Sequence, residues 1–411
     1  MNAGLQFARR LVEEVAQIGR TDQGVTRLGF SPADRQAREL LIERMTSVGA
    51  SVRADSVGNL WFSLPGTNPN HPGILMGSHL DSVPQGGDFD GVLGVACAAA
   101  VMDQASRREP LTRSLNCVVF ACEESSRFRL SCVGSRAVAG QLSLSQMIRF
   151  KDSGGVSLLN AIRGFGCEPV TLDRDLLVPG SYEAFLELHI EQGPALDSSD
   201  DQLGVVEAIA APTRFSVTIF GRADHSGACP MELRHDALAA ASEVVLVVER
   251  VGRAYSPRRV VAAVTTCRVF PNAINVVPGR VELAVDLRGI DRRAIDEAYQ
   301  AIVQEIDRVA GERQIRIDRE LLGSSEPVVL DALLVHRLKA FAQNKGYKVR
   351  VMPSGAGHDS MYVAPLIPTA MIFVPCRDGR SHCPEESIDW DRVEPGYDVL
   401  ESAALTLAAR P

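Results

Sequence analysis

The chain has 411 residues, 45% of them hydrophobic and 23% charged, which is ordinary for a globular protein and excludes collagen-like or largely disordered readings. That length predicts two to three domains and gives ample chain to bury a core without disulfide staples. With 43 Lys and Arg against 51 Asp and Glu, a net charge of −8, no basic runs and 5% aromatics, nucleic acid and anionic membrane surfaces are not expected partners.

Leu5, Ala8, Val12, Val15 and Ile18 recur at helical spacing. Ser31-Pro32 is a cap with a first-turn proline, and it opens a helix that Gly49 closes. Strands are expected at Leu60–Leu64 and Ile74–Met76, then a small-residue helix from Gly91 to Gln104 and a buried strand at Leu115–Ala121. Such alternation predicts an α/β domain with its sheet covered on both faces. After about residue 211 the order changes. Thr213–Phe220 is a strand, His235–Val251 a helix, Val260–Val269 and Arg280–Arg288 strands, Asp291–Val309 a helix and Ile315–Leu321 a strand. That β-α-β-β-α-β string is the ferredoxin-like pattern. The α/β style resumes with a helix near Ala332–Asn344, strands at Val349–Met352 and Thr369–Val374, and a helix around Val393–Ala409. The expected architecture is a discontinuous α/β domain, residues 1–211 and 330–411, interrupted by an α+β insert, residues 212–329.

Nine cysteines, an odd number with no CxxC spacing, predict reduced thiols and a cytoplasmic protein. The N-terminus is amphipathic and lacks a signal-peptide apolar core. Val92–Met102 is too short to span a bilayer.

Five acid-and-imidazole clusters stand out, most of them where strands give way to loops, and strand C-termini are where sites assemble in such sheets. They are Gly77-Ser78-His79-Leu80-Asp81, Gly86-Gly87-Asp88-Phe89-Asp90-Gly91, Glu123-Glu124, Leu188-His189-Ile190-Glu191-Gln192-Gly193 and Gly379-Arg380-Ser381-His382-Cys383-Pro384-Glu385-Glu386. A His-x-Asp at a strand end suits a metal-ligating imidazole oriented by a carboxylate. Adjacent glutamates repel unless a cation or a shared proton relieves them. Taken singly, each cluster is compatible with ordinary loop chemistry. His79, His189 and His382 together, with three carboxylates, would satisfy two divalent ions and point to a two-metal hydrolase. His71, in a Pro/Asn turn, and His336, on a helix face, are assigned to structure.

The ordered segments GSHLDSV, GGDFDGVLG, EESSRF, ELHIEQGP, GRADHSG, PNAINVVPGRVELAVDLRG, SGAGHDSM and GRSHCPEE resemble the carbamoylase/allantoate-amidohydrolase branch of the M20 metallopeptidase-like family over essentially the whole chain. The resemblance implies a two-metal amidohydrolase, using Zn, Mn, Co or Ni, whose inserted ferredoxin-like domain is both lid and homodimer contact. By that resemblance His79, Asp90 and His189 hold one metal, and Asp90 bridges to a second completed by Glu124 and His382. Glu123 matches the general base and Asp81 the carboxylate behind His79. His225 matches a histidine that helps stabilise the oxyanion, and Gln192, Arg214, Asn275 and Arg288 match substrate contacts. The implied substrate is a small ureido or amide carboxylate: an N-carbamoyl-L-amino acid first, then allantoate or β-ureidopropionate. A di- or aminopeptidase on the same fold is the alternative. His358 and Asp359 are expected to support the site, and Cys122, Cys229, Cys376 and Cys383 to be small buried thiols. Where relatives commonly carry Asp-Glu-Glu-Gly, this chain has Cys122-Glu123-Glu124-Ser125; both glutamates survive.

Overall fold

Apolar runs without polar alternation form strands only where both sheet faces are covered. In the computed structural model, which describes residues 1–410, four such runs lie side by side and parallel. Their order is Thr369–Val374, Tyr182–Ile190, Gly73–His79 and Leu115–Phe120. Antiparallel strands extend the sheet on each side: Leu60–Leu64 and Ser51–Ala54 beyond Leu115–Phe120, and Leu203–Ile209 beyond Thr369–Val374. Register aligns His79 with Phe120 and Phe373 with His189, so the C-terminal ends of the parallel strands share one edge. That edge is where open α/β sheets place their ligands.

The helix Val92–Ser106 packs on this sheet and is buried from Val92 through Asp103. Its alanines and Gly94 make the close approach possible. A Cβ at Gly94 would lie 2.3 Å from the Leu188 carbonyl oxygen, so the helix sits against the backbone just before His189. Helices Ala3–Ala16, Ala332–Asn344 and Trp390–Ala408 contribute Leu5, Leu338 and Leu400 to the same core. Ser31 caps Pro32–Ser47 by accepting the Asp34 N–H, as the Ser-Pro pair predicts.

The described residues divide into two compact units, one of residues 1–207, 330–354 and 358–410, the other of 208–329 and 355–357. The second unit has its own core. Its antiparallel sheet runs Val260–Phe270, Arg280–Gly289, Ala211–Phe220, Arg316–Ser324. Strict alternation puts Phe215, Val217, Ile219, Val281, Leu283, Val285 and Leu287 inward, packed with Val244, Val248, Ile295 and Ile302 of helices Ala237–Tyr255 and Arg292–Arg313. The opposite face of the same two strands carries Arg214, Asp286 and Arg288. Among the described residues no helix is long and apolar enough to cross a membrane.

Two expectations are corrected. His79 and His189 are not loop residues: both belong to parallel strands, Gly73–His79 and Tyr182–Ile190, and are buried. Ladder hydrogen bonds use the backbone, so a polar side chain does not end a strand when the pairing continues. Leu203–Ile209, which sequence periodicity did not mark, is a further strand of the sheet.

Candidate metal centre

Five side chains converge on the shared strand edge. Asp90 lies between two groups and offers one oxygen to each. Its Oδ1 is 3.5 Å from His79 Nε2 and 3.3 Å from His189 Nε2. Its Oδ2 is 3.2 Å from His382 Nε2, which in turn is 3.1 Å from Glu124 Oε1. These are the two clusters His79–Asp90–His189 and Asp90–Glu124–His382. Ligands about 2.0–2.2 Å from a tetrahedral ion stand roughly 3.3–3.6 Å from one another, and the spacing here is of that size.

Hydrogen bonding sets the imidazole tautomers to match. Nδ1 of His79 donates to the Asp81 carbonyl at 3.0 Å and Nδ1 of His189 to the Ile190 carbonyl at 2.9 Å, which turns each Nε2 toward Asp90. The Gly91 N–H also points at His189 Nε2, at 3.2 Å. This is the usual way an imidazole is oriented for a metal. The electrostatics ask for positive charge. Burial would raise the Asp90 pKa, but the His189, His382 and His79 imidazoles against it, in their protonated form, hold it well below the carboxylate range. His382, bonded to Asp90 and Glu124, has its pKa lifted to about 11, so the pair draws in either a proton or a cation. The donor set, imidazole nitrogens with carboxylate oxygens, fits Zn, Mn, Co or Ni.

Glu123 belongs to neither cluster. Its Oε2 stands 3.9 Å from His79 Nε2, and burial raises its pKa well above the usual range, with His79 opposing and Glu124 and Asp359 reinforcing. Asp81 stands behind His79 and has a further part as well. Its carboxylate is 3.8 Å from His79 Nδ1, which bonds its backbone carbonyl instead. The carboxylate oxygens accept the Glu123 and Glu124 N–H groups, each at 3.0 Å. Asp81 therefore holds the glutamate doublet in place. Burial pushes its own pKa up to about 6.

Glu386 plays the matching part on the other side, and the sequence reading assigned it nothing. Its Oε1 accepts the Phe89 and Asp90 N–H groups at 2.8 and 3.1 Å, and its Oε2 the Ser381 hydroxyl at 2.8 Å. Ser381 Oγ is also 2.8 Å from Asp90 Oδ2, so its one proton is shared between the two carboxylates, and Gln192 Nε2 donates to Asp90 Oδ2 at 2.6 Å. Gln192 thus touches Asp90 itself, while its Oε1 is buried without a partner. Behind His189, Glu187 accepts the Ser78 and Ser360 hydroxyls, His358 Nε2 meets Ser354 Oγ at 2.9 Å, and Asp359 accepts from Ser135. Glu187, His189 and His358 could form a third metal group by proximity, but these hydroxyl bonds make it a satisfied polar layer. Of the four thiols expected to be buried, Cys122 and Cys376 are; Cys229 and Cys383 are only partly so, since they lie in polar loops.

Gly91 packs directly against the His79 ring. It has φ 68°, and a Cβ there would fall 2.4 Å from His79 Cε1 and 2.5 Å from its Nε2. Gly91→Ala should displace His79 and weaken metal binding by about tenfold or more, while the fold persists. Titration of the metal-free protein checks this, and wild-type affinity would contradict it.

In the second unit Arg214 Nε donates to Asp286 Oδ2 at 3.2 Å, and Arg288 grips both Asp286 oxygens at 3.0 Å. Asp286 and Arg214 are direct cross-strand partners. Sequence inspection found both arginines but not the aspartate that pairs them. His225 is exposed, its Nδ1 accepting the Gly227 and Ala228 N–H groups at 3.1 and 3.2 Å. The Ser226 N–H donates to the Asn275 carbonyl at 2.9 Å, so His225 and Asn275 occupy neighbouring segments.

Residues 75–406 match the model of peptidase family M20/M25/M40. The chain is a member of this family. It is 37% identical over 410 residues to an N-carbamoyl-L-amino acid amidohydrolase of Geobacillus stearothermophilus, covering 99% of both chains. It is 34% identical to an allantoate amidohydrolase of Escherichia coli K12, over 94% of this chain and 93% of that one. The crystal structure of a hydantoinase/carbamoylase family amidase from Burkholderia multivorans superposes with TM-score 0.92 at 33% identity, covering 98% of each chain. The aminopeptidase PepT of Bacillus cereus, at 17% identity and TM-score 0.65, shares the fold.

Proposed function

We propose that this M20 member is a metal-dependent amidohydrolase that cleaves the carbamoyl C–N bond of a small ureido carboxylate. An N-carbamoyl-L-amino acid is the first choice, giving the amino acid, carbon dioxide and ammonia. The observation that carries this reading is Asp90, which offers one oxygen to each of two imidazole-containing groups while Glu123 stands beside them and belongs to neither. Two divalent cations held by His79, Asp90 and His189 and by Asp90, Glu124 and His382 would supply Lewis acidity toward the scissile carbonyl and an acidified water.

The chain's own residues do the rest. Glu123, facing inward through Oε2, takes a proton from water and returns it to the departing nitrogen. Asp81 keeps Glu123 and Glu124 apart by fixing their backbone amides, so one carboxylate serves as ligand and its neighbour as base. Gln192 steadies Asp90 through its Nε2. Arg214 and Arg288 are the carboxylate-binding groups, while Asn275 is a further substrate contact on the segment beside His225, itself a donor to the tetrahedral oxygen. With Asp286 between them the two arginines retain one net positive charge, which suits a substrate with a single carboxylate. The second unit is read as a lid and homodimer contact, in line with the resemblance of its motifs, and the protein as cytoplasmic, in line with its cysteine usage.

Allantoate is the second reading, because a relative named for that activity covers nearly the whole chain and the same residues would serve it. The test is a panel of N-carbamoyl-L-amino acids, allantoate, ureidoglycolate, β-ureidopropionate and dipeptides, offered to protein reconstituted with Mn, Zn, Co or Ni. Ammonia release from at least one ureido acid is expected. Release from none, with metal bound, refutes the proposal, and faster dipeptide turnover would move the chain to the peptidases.

A further inference from the structure

We infer that Cys132 is a positioning residue for Glu123, its thiol holding one carboxylate oxygen so that the other faces the metal centre. The inference rests on the general-base reading of Glu123 given above. Cys132 Sγ lies 3.0 Å from Glu123 Oε1, and both side chains are buried. The opposite oxygen, Oε2, is the one near His79, at 3.9 Å. The carboxylate is thus divided between a donor behind it and the reaction space in front.

The thiol is held there by the backbone. The Cys132 N–H donates to the Glu123 carbonyl at 2.7 Å, Val133 N–H to Cys122 at 3.1 Å and Gly134 N–H to Ala121 at 2.8 Å. Three successive bonds therefore tie the start of the helix Val133–Val138 to the segment that presents Glu123. Cys132 itself takes φ 57°, a left-handed conformation that a β-carbon tolerates poorly and that surrounding structure must enforce. The side chain is delivered to Glu123 by that conformation. Burial first, and then the neighbouring carboxylates, keep the thiol protonated and therefore a donor. An uncharged thiol orients the carboxylate without withdrawing as much of its basicity as a cation would. Cys132 touches no metal-ligand cluster, so its influence should fall on the rate of the proton-transfer step rather than on metal or substrate affinity.

The experiment compares wild type, Cys132→Ala, Cys132→Ser and Glu123→Gln. Each is loaded with Mn and assayed for ammonia release from N-carbamoyl-L-alanine or whichever ureido acid of the panel is fastest, with metal content measured in parallel. Cys132→Ala should lower kcat by roughly ten- to a hundredfold, the loss of one hydrogen bond to a charged group, with KM within about twofold and metal content unchanged. Cys132→Ser restores a donor and should recover kcat to within about fivefold of wild type. A Cys132→Ala kcat within about twofold of wild type, with Glu123→Gln inactive, overturns the positioning role alone. So does a serine variant as slow as the alanine variant, which would show that thiol volume and not donation matters. A Glu123→Gln protein as fast as wild type instead overturns the general-base reading, and this inference falls with it.

Discussion

Glu123→Gln is expected to keep the fold and its metal ions while turnover drops by about 10²–10⁴-fold. The substitution preserves shape, and Gln Oε1 can still accept from Cys132, so the buried pocket stays filled and satisfied. Only the basic oxygen facing His79 is lost. Metal content should persist because Glu123 belongs to neither ligand group. The backbone amide held by Asp81 is unaffected as well. Steady-state ammonia release measured beside elemental analysis checks both halves. Turnover within about tenfold of wild type would assign the proton transfer to another group, and loss of metal would place Glu123 among the ligands.

Asp90→Asn should have the largest effect on metal binding of any single change. Asp90 is the one side chain common to both groups, Oδ1 toward His79 and His189, Oδ2 toward His382. Replacing one oxygen by an amide nitrogen removes a ligand atom from one group and weakens the other by removing the charge that draws cations to both. Affinity for each ion should fall by at least about a hundredfold, beyond what loss of an outer-sphere partner costs. Glu124→Gln touches only the group with His382 and should leave one ion bound. Metal counting after dialysis separates the cases. An Asp90→Asn protein that retains two ions would rule out the shared-ligand arrangement.

The parts of this protein that local chemistry specifies could be read from the chain. Uninterrupted apolar runs such as Leu115–Phe120 have one stable environment, a covered sheet, and the strand at Leu60–Leu64 ends where the pattern ends. The alternating strands of the second unit declare their buried face residue by residue. Imidazoles and carboxylates beside strand ends also stand out, and His79, Asp90, Glu124, His189 and His382 do meet. Leu203–Ile209 escaped notice because it pairs at the sheet's flank, antiparallel to Thr369–Val374, and carries none of the imidazole or acid clusters that drew attention to the other strands.

The supporting groups were hidden for a different reason. Asp81 serves amides 42 and 43 residues away, and Glu386 serves amides 297 and 296 residues away. Nothing in the neighbourhood of either acid marks it as an acceptor for those donors. Cys132 is likewise one unremarkable thiol among nine until the backbone bonds after residue 121 bring it onto Glu123. Residue type and spacing set which atoms are capable of ligation, because donor chemistry is a property of the side chain alone. Which oxygen of Asp90 faces which imidazole, which glutamate of the doublet stays free, and what holds each in place follow from strand register and long-range hydrogen bonds. Those are relations between distant segments, and they exist only once the chain has closed on itself.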